Sequence, residues 1–419
     1  MESVSAGTAG RHSEEGVTPS SLLLVPPDNA DGEAPVSPGT MLLGLPLLHR
    51  SVVAARRAGF GQILILTPTP AEITPLLDSS RVTVLSPGDP IPPLPAGRLV
   101  LLAANVLPRP KWLRALLEMP IAPGQLYGDG KLVAVIDAVD ARAILPVVSG
   151  GLGASDLFAA LAQLVTPVYQ PLGREGVMAV GTPRDVPNAE AWLLRGLIKE
   201  NEGFMSRHVE RRISLGITRR LVSTGMTPGA MTAVSVGIGL VGAPFFLSSS
   251  AAYQLAGGLL FLLHSILDGC DGELARLKLQ ESRWGGLFDF WGDNVVHVAV
   301  FLCMAVGWSL ATQATWPLLL GALAVAGSVG SAGFAYWHTM RAKDADGPLF
   351  TSLVRSPGPG LSRLLDWLAR RDFIYGVVLF SAFGKAAWFL ALAGVGAPIF
   401  FLVLLWTARL PSHREERLP

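Results

Sequence analysis

The chain divides into two parts by its pattern of apolar residues. In the first part, short continuous apolar runs at 22–25, 63–66, 82–85 and 99–102 are separated by polar stretches and by segments of helical periodicity at about 46–58, 112–118 and 156–164. Continuous apolar runs of this length are typical of buried parallel strands. The pattern therefore predicts a doubly wound, soluble α/β domain over residues 21–187.

The second part contains much longer apolar segments, each near the ~20 residues that a helix needs to cross a bilayer. We place six transmembrane helices within an all-α membrane domain at 229–410, at about 229–247, 251–269, 286–308, 314–337, 373–393 and 395–410. Arg and Lys concentrate in the loops after the second and fourth helices, whereas the opposite loops, at 248–250, 309–315 and 394–398, carry no charge. By the positive-inside rule, both termini face the cytoplasm. The sequence thus predicts a multi-pass protein of the inner (cytoplasmic) membrane.

Three further segments complete the predicted domain organisation. Residues 1–20 are polar and rich in Gly and Ser, which predicts a disordered tail, and residues 411–419 are expected to be a cytoplasmic tail. Residues 188–228 combine many arginines with interleaved leucines and isoleucines. That mixture predicts an amphipathic juxtamembrane segment at the cytoplasmic membrane surface, in contact with membrane lipids.

Composition agrees with a soluble part joined to a membrane part. The chain has 419 residues, of which 50% are hydrophobic and only 16% charged, and its mean hydropathy is positive. A net charge of +1 gives no reason to expect a nucleic-acid partner. The two cysteines, Cys270 and Cys303, have neither metal-ligand nor disulfide spacing and are interpreted as reduced bystanders.

The candidate chemistry lies where the second and third predicted helices meet water. Asp268 and Asp271 are three residues apart at the end of one helix, and Asp289 and Asp293 are four apart at the start of the next. Each pair shares a helical face, so an antiparallel hairpin would bring all four carboxylates together. Clustered carboxylates need cations, and Mg²⁺ or Mn²⁺ with oxygen ligands usually also bind substrate phosphates. The spacing therefore predicts a two-metal phosphoryl-transfer site at a membrane surface.

The full pattern is D-x-x-D-G-x-x-A-R, eight residues, then G-x-x-x-D-x-x-x-D, from Asp268 to Asp293. It resembles, at every fixed position, the signature of the CDP-alcohol phosphotransferase (CDP-alcohol phosphatidyltransferase) family. Members are integral membrane enzymes that displace CMP from a CDP-linked alcohol, such as CDP-diacylglycerol or a CDP-polyol, with the hydroxyl of an acceptor alcohol. The resemblance implies phospholipid or polyol-phosphate biosynthesis and a homodimer.

The resemblance also implies roles for individual residues. Two ions, Mg²⁺ or Mn²⁺, would be held by aspartates, and the last of these is also the expected catalytic base for the acceptor hydroxyl. The implied metal ligands are Asp268, Asp271, Asp289 and Asp293, with Asp293 as the base. The implied CDP-binding residues are Gly272, Ala275, Arg276 and Gly285.

The first domain resembles the nucleotidyltransferase fold of enzymes that synthesise sugar nucleotides and CDP-inositol, as found in inositol-phosphate cytidylyltransferase/phosphotransferase fusions. Its catalytic parts depart from that pattern. Residues 26–32 after the first strand contain two prolines instead of a basic, Gly-rich phosphate loop, and the expected metal-binding Asp is matched by Asn105. An amide is a poor substitute for a carboxylate on Mg²⁺. We therefore expect a degenerate domain with a structural or regulatory use.

Two basic residues, Arg211 and Lys385, are candidate ligands of an acceptor phosphate. Arg211 has lipid-headgroup binding as its alternative, and Lys385, expected in the middle of the fifth span, has pairing with a buried acid as its alternative. Two rival functions also stay open: a non-catalytic membrane scaffold that recruits a partner through its first domain, and a transporter. The intact set of aspartates favours the phosphotransferase.

Overall fold

The computed structural model describes residues 19–28, 36–77, 82–170, 173–198, 206–340 and 373–409. The chain divides between Trp192 and Leu193 into two compact units. The first unit has an α/β architecture and the second is helical. The predicted tail at 411–419, and all but the last two residues of the tail predicted at 1–20, lie outside the described residues.

The first unit is built on a seven-stranded sheet with two small antiparallel pairs beside it. Its strands are β1 Ser21–Val25, β2 Met41–Leu42, β3 Leu45–Pro46, β4 Gln62–Leu66, β5 Val82–Leu85, β6 Arg98–Ala103, β7 Val106–Pro108, β8 Gln125–Gly128, β9 Val133–Asp137, β10 Thr166–Tyr169 and β11 Val177–Ala179. Its helices are α1 Leu47–Ala58, α2 Pro70–Ile73, α3 Pro110–Glu118, α4 Ala138–Ala141, α5 Leu145–Val148, α6 Ala154–Leu161 and α7 Val186–Arg195, the last of which crosses the boundary between the units.

The sheet has the order β10-β8-β9-β6-β1-β4-β5. The four apolar runs predicted as strands are β1, β4, β5 and β6, which are parallel neighbours at the centre and one side of the sheet. Their side chains are almost entirely buried in β1, β4 and β6, as expected for strands covered on both faces. β9 pairs antiparallel with both β6 and β8, so the sheet is mixed rather than wholly parallel.

One buried cation supports the turn between β2 and β3. Arg50 donates from Nε and Nη2 to the carbonyl of Leu42, at 3.1 and 2.7 Å, and from Nη2 to the carbonyl of Leu43 at 2.9 Å. Leu43 has a positive φ of 44°, which is unfavourable for a branched side chain. Burial lowers the pKa of Arg50 to about 10, and the charge of Glu190 partly opposes that shift. The guanidinium thus stabilises an unfavourable backbone turn.

The second unit is made of helices, several of them long enough to cross a membrane. They are α8 Arg211–Leu221, α9 Pro228–Gly242, α10 Ala251–Leu277, α11 Arg283–Thr312, α12 Trp316–Ala335, α13 Phe373–Ala382 and α14 Ala386–Arg409, with a 3₁₀ turn at Ala243–Leu247 after α9 and a π turn at Tyr336–Met340 after α12. Within the described residues, five helical segments have the length and hydropathy of membrane spans: Pro228–Leu247, Ala251–Leu277, Arg283–Thr312, Trp316–His338 and Ala386–Trp406.

The predicted fifth and sixth spans need correction. The helix is interrupted at 383–385. One continuous helix, α14, then follows and includes the residues 394–398 that were predicted to form a loop. Gly384 has a φ of +66°, a conformation that suits glycine and ends α13 after 10 residues. Pro398 lies inside α14. Membrane helices tolerate an internal proline because neighbouring helices help to satisfy the backbone groups that it frees. Because α13 is a short apolar helix, the count of six spans is not confirmed.

The same correction moves Lys385. It does not lie in the middle of a helix but in the break before α14, with an exposed side chain. It lines a cavity together with Ser248 and Thr312, which lie in or beside the turns that connect α9 to α10 and α11 to α12. This end of the helical unit is opposite the end that carries the aspartates.

Candidate functional site

Three aspartates converge where the end of α10 meets the start of α11. Asp268 and Asp271 are 4% and 3% exposed, and Asp289 is half-buried. One carboxylate oxygen from each of these residues lies within 4.8 Å of the other two. The structure thus brings together three of the four predicted metal ligands, across the two helices that the spacing implied.

The donor set fits a divalent cation of the Mg²⁺ or Mn²⁺ type. Three carboxylates at this separation, two of them almost fully buried, repel one another unless positive charge lies between them. Every converging atom is an oxygen, which is the ligand that these hard cations prefer. Asp293 is not a member of the converging group.

Asp271 is oriented by a hydroxyl from the neighbouring helix α9. The Thr232 Oγ1 atom donates to Asp271 Oδ2 at 2.5 Å, and Thr232 is 2% exposed. The helix begins at the Thr227-Pro228 turn, where the Thr227 side chain accepts from the backbone N–H of Ala230. The cap fixes the start of α9, and one turn later Thr232 faces the aspartates. A short hydrogen bond to a carboxylate restricts its rotation, as partners of metal ligands commonly do.

Asp293 lies between two histidines. Its Oδ1 is 3.2 Å from His264 Nε2, and its Oδ2 is 3.7 Å from the Nδ1 of His297, one turn further along α11. His264 is 0% exposed, and its Nδ1 lies 3.0 Å from the carbonyl oxygen of Ser235 on α9. Helices α9, α10 and α11 therefore meet at the last aspartate of the motif.

A fifth acid, Glu273, fastens α8 to α10. Glu273 is 0% exposed and accepts from Arg211 Nη1 at 2.6 Å, from Ser214 Oγ at 2.7 Å and from Thr218 Oγ1 at 2.7 Å. The three donors lie at positions i, i+3 and i+7 of α8, which is one helical face. This polar face of the predicted juxtamembrane helix is therefore turned to the protein. Arg211 is part of this network, 2.6 Å from a carboxylate.

Lys278 makes a second attachment beside the first. Its Nζ donates to the carbonyls of Thr224 and Met226 at 2.7 and 2.8 Å, in the segment that joins α8 to α9. Together with Glu273, it binds the end of α10 to the polypeptide that precedes the first span.

The four residues expected in a CDP pocket lie at the same helix ends. A Cβ placed on Gly272 would have only the guanidinium of Arg276 within 4 Å, at 3.6 Å and beyond, so this glycine leaves open space beside Arg276. Gly285 donates its N–H to Ser282 Oγ at 3.0 Å, which caps the start of α11. Ala275 is half-buried on α10. A nucleotide role for these residues stays a prediction.

Lys385 is not brought to the aspartates. The backbone N–H of the next residue, Ala386, donates to Gln254 Oε1 at 3.0 Å. Gln254 and Asp268 are fourteen residues apart on α10, about 21 Å at 1.5 Å per residue. Lys385 therefore lies too far from the cluster to share a small ligand with it.

Three residues in or beside the motif make contacts that the sequence did not predict. Thr232 and His264 lie inside apolar segments, where a single polar residue gives no periodic signal. Glu273 occupies a variable position of the motif, although an acid at that depth already indicates a buried partner. Only the packing of α8, α9, α10 and α11 shows what each of them binds.

Comparison with known proteins agrees with this geometry. Residues 226–355 match the model of the CDP-alcohol phosphatidyltransferase family. The chain is 37% identical over 151 residues to the bifunctional IPC transferase and DIPP synthase of Thermococcus kodakarensis, a match that covers 36% of this chain and 33% of the relative. It is 28% identical over 110 residues to the archaetidylinositol phosphate synthase of Pyrococcus horikoshii, covering 26% of this chain and 56% of that protein.

A solved structure is similar at a lower level. The Mycobacterium tuberculosis phosphatidylinositol phosphate synthase with CDP-DAG bound covers 50% of this chain and 99% of its own, with 17% identity and a TM-score of 0.38. The match to the bifunctional relative spans about a third of that protein's length.

The family match includes the converging aspartates and the helices that hold them. Its residues begin just before α9 and include all of α10, α11 and α12. The converging carboxylates, Asp268, Asp271 and Asp289, fall within it. Residues 226–355 of this chain are therefore a domain of the CDP-alcohol phosphatidyltransferase family.

Proposed function

We propose that this protein is an integral membrane phosphotransferase that transfers a substituted phosphate from a CDP-linked alcohol to an acceptor alcohol and releases CMP. The observation that carries the proposal is the convergence of Asp268, Asp271 and Asp289 within 4.8 Å at the facing ends of two membrane-length helices. Buried acids at such a position are costly and are retained for function. The family match over the same residues supports the same reaction.

The three converging aspartates would hold a divalent cation, and Asp293 would complete the coordination of a second one. When bound, such cations neutralise the diphosphate of the donor and the charge that develops on it during transfer. Thr232 keeps Asp271 turned towards the site through its 2.5 Å hydrogen bond. Asp268 and Asp271 are almost fully buried, and the packing around them restricts their rotation.

The proposed reaction is a single in-line displacement. The acceptor hydroxyl oxygen bonds to the phosphorus that carries the donor's alcohol, and the bond from that phosphorus to the phosphate oxygen of CMP breaks. CMP leaves with that oxygen, and the hydroxyl proton goes to the carboxylate of Asp293 acting as general base. Arg276 and the open space beside Gly272 suit the binding of the cytidine diphosphate.

We further propose a substrate class related to inositol phosphate. The support is that the relatives are named as an IPC transferase and DIPP synthase and as an archaetidylinositol phosphate synthase. The donor would be either CDP-diacylglycerol or a soluble CDP-polyol such as CDP-inositol. The site would face the cytoplasm in a homodimer, with the basic loops on the same side.

The first unit is proposed to serve a structural or regulatory role. Asp28, after β1, accepts from the backbone N–H and the hydroxyl of Ser155 at 2.7 and 2.5 Å and so caps α6 instead of forming part of a phosphate loop. Arg50, the first Arg or Lys after β1, binds two backbone carbonyls. Asn105 follows β6 in place of the expected metal-binding Asp. In this proposal any soluble CDP-polyol comes from another protein.

The test is CMP release by the purified full-length protein in lipid, with Mg²⁺ or Mn²⁺. CDP-diacylglycerol and CDP-inositol are the donors, each tested with a panel of free and phosphorylated polyols that includes inositol phosphate. We expect metal-dependent CMP release that Asp293→Asn reduces by at least 100-fold, on the scale of lost general-base catalysis (about 10²–10⁴). Absence of release from both donors with every acceptor would refute the proposal and favour the scaffold.

A further inference from the structure

The last aspartate of the motif is held by a residue that the motif does not contain. We propose that His264 is a positioning residue that orients the carboxylate of Asp293 through a tether to the backbone of α9. This inference rests on the proposed function, in which Asp293 accepts the proton of the acceptor hydroxyl. It concerns a residue four positions before the first aspartate, in the apolar run that leads to the motif.

Both ring nitrogens of His264 are engaged. A carbonyl oxygen only accepts hydrogen bonds, so the contact of 3.0 Å to Ser235 O fixes Nδ1 as the donor. The opposite nitrogen, Nε2, is thereby directed at Asp293 Oδ1, 3.2 Å away. A carboxylate also only accepts, so Nε2 donates to it when the ring carries both protons. The imidazole spans the gap between the α9 backbone and the α11 carboxylate, so its orientation sets that of Asp293.

The surrounding packing leaves the ring little freedom. His264 is 0% exposed, and the ring of Phe261 stacks beside it with a centroid distance of 6.1 Å. A Cβ placed on Gly239 would lie 3.1 Å from His264 Cγ and 2.5 Å from Val296 Cγ1, so α9 has a glycine where the imidazole and α11 approach it. An imidazole enclosed in this way keeps its own orientation. It therefore holds the carboxylate of Asp293 in place instead of moving with it.

His297 contacts Asp293 from the same helix. Its Nδ1 is 3.7 Å from Asp293 Oδ2, and its Nε2 is buried without a hydrogen-bond partner among the described residues. It therefore has no anchor on a second helix comparable to Ser235 O. Of the two histidines, only His264 connects Asp293 to a fixed point of the backbone.

Two amide substitutions distinguish the hydrogen bond of His264 to Ser235 from its hydrogen bond to Asp293. In His264→Gln the amide nitrogen takes about the place of Nε2 and keeps a donor for Asp293, whereas in His264→Asn it takes about the place of Nδ1 and keeps only the bond to Ser235. We expect His264→Asn to lower kcat for CMP release by roughly 10- to 100-fold, as for other partners of site residues, and His264→Gln to keep most of the wild-type kcat. KM for the CDP-alcohol is expected to stay within about threefold in both, since neither variant changes the expected CDP-binding residues.

The assay uses the full-length protein in lipid with CDP-inositol or CDP-diacylglycerol as donor and an inositol phosphate as acceptor. Mn²⁺ binding, measured by electron paramagnetic resonance, is the second measurement, and we expect both variants to retain it because the three converging carboxylates are unchanged. His49→Asn, in α1 of the first unit, is the matched control with unchanged kcat. In an Asp293→Asn background, His264→Asn is expected to cause no further loss.

The outcomes are distinguishable. A loss of kcat in His264→Asn that is largely absent from His264→Gln, with Mn²⁺ binding intact in both, supports the positioning role. A wild-type kcat in His264→Asn overturns it. An equal loss of kcat in His264→Asn and His264→Gln, accompanied by lost Mn²⁺ binding, also overturns it and would indicate a purely structural histidine. Wild-type protein that releases no CMP overturns the proposed function and this inference with it, whereas CMP release by the wild type with undiminished activity in His264→Asn overturns this inference alone.

Discussion

Removal of the Glu273 carboxylate is expected to detach α8 from the end of α10. In Glu273→Ala, the hydroxyls of Ser214 and Thr218 lose this acceptor and Arg211 loses its contact with this carboxylate, all at the interface of two helices. The side chain of Arg211 is only 15% exposed, so water does not replace the lost carboxylate fully. The substitution therefore leaves several polar groups unsatisfied in place of a complete network.

The expected loss in the free energy of unfolding follows from this burial. A hydrogen bond to a charged group contributes about 1.5–3 kcal/mol, and the three bonds are not additive because one substitution removes them together. Removal of one partner of a buried ion pair costs about 3–5 kcal/mol, which we take for the whole network. For a unit of this size, that corresponds to a fall in Tm of roughly 6–20 °C.

A cysteine beside the network reports the detachment directly. Cys270 is 0% exposed, and its Sγ lies 3.5 Å from the carbonyl oxygen of Ser214 on α8. In a Cys303→Ala background, a small maleimide should alkylate Cys270 only when α8 moves away. A loss of about 3 kcal/mol in the stability of the closed state raises the open population, and with it the alkylation rate, by roughly 100-fold.

Glu281→Ala is the matched control, since Glu281 is exposed and follows the end of α10. Its effect on stability should stay within about 0.5 kcal/mol, with no change in Cys270 alkylation. If Glu273→Ala melts within 2 °C of the wild type and its Cys270 reacts no faster, the network does not hold α8 and the reasoning from burial is wrong.

Three further predictions concern other parts of the chain. Thr232→Val should lower Mn²⁺ affinity by roughly 10- to 100-fold in a calorimetric titration, because Asp271 loses the donor that orients it, and unchanged affinity would contradict that role. Arg50→Met should destabilise the first unit by about 1–3 kcal/mol by leaving the Leu42 and Leu43 carbonyls unsatisfied, measured as faster proteolysis of that unit in the full-length protein. Lys385→Gln should leave the rate of CMP release unchanged, and a loss of 10-fold or more would show that this residue acts on the site.

The sequence predicted the strands and the convergence of acids well because both depend on local spacing. Apolar runs of four residues are β1, β4, β5 and β6, and they pair side by side as expected. Asp268 and Asp271 share one face of α10 by their three-residue spacing, and a hairpin with α11 adds Asp289. Positions fixed by helical periodicity need no knowledge of the remaining chain.

The errors in the last two predicted spans arose where the conformation of a single residue determines whether a helix ends. Gly384 ends α13 through a positive φ, whereas Gly394 and Pro398, which were interpreted as a loop, lie within α14. Glycine and proline are tolerated in membrane helices, so neither residue type identifies a break by itself. The placement of Lys385 followed from that error.

The partners of the site residues were unpredictable for another reason. Glu273 meets its donors, Arg211 among them, from more than fifty residues away, and His264 meets Asp293 across 29 positions. Contacts between helices of this kind depend on the relative rotation and depth of each helix, which periodicity does not specify. The sequence therefore predicted which groups carry the chemistry but not which groups hold them.

The most direct test of the central claim is whether CMP and a new phosphodiester form together. The wild-type protein in lipid with Mn²⁺, CDP-inositol or CDP-diacylglycerol and an inositol phosphate would be followed by ³¹P nuclear magnetic resonance, beside Asp268→Asn. We predict equal amounts of CMP and phosphodiester product, no CMP without acceptor, and no product from the variant. CMP release that needs no acceptor, or product formation that survives Asp268→Asn, would contradict a phosphotransferase built on these carboxylates.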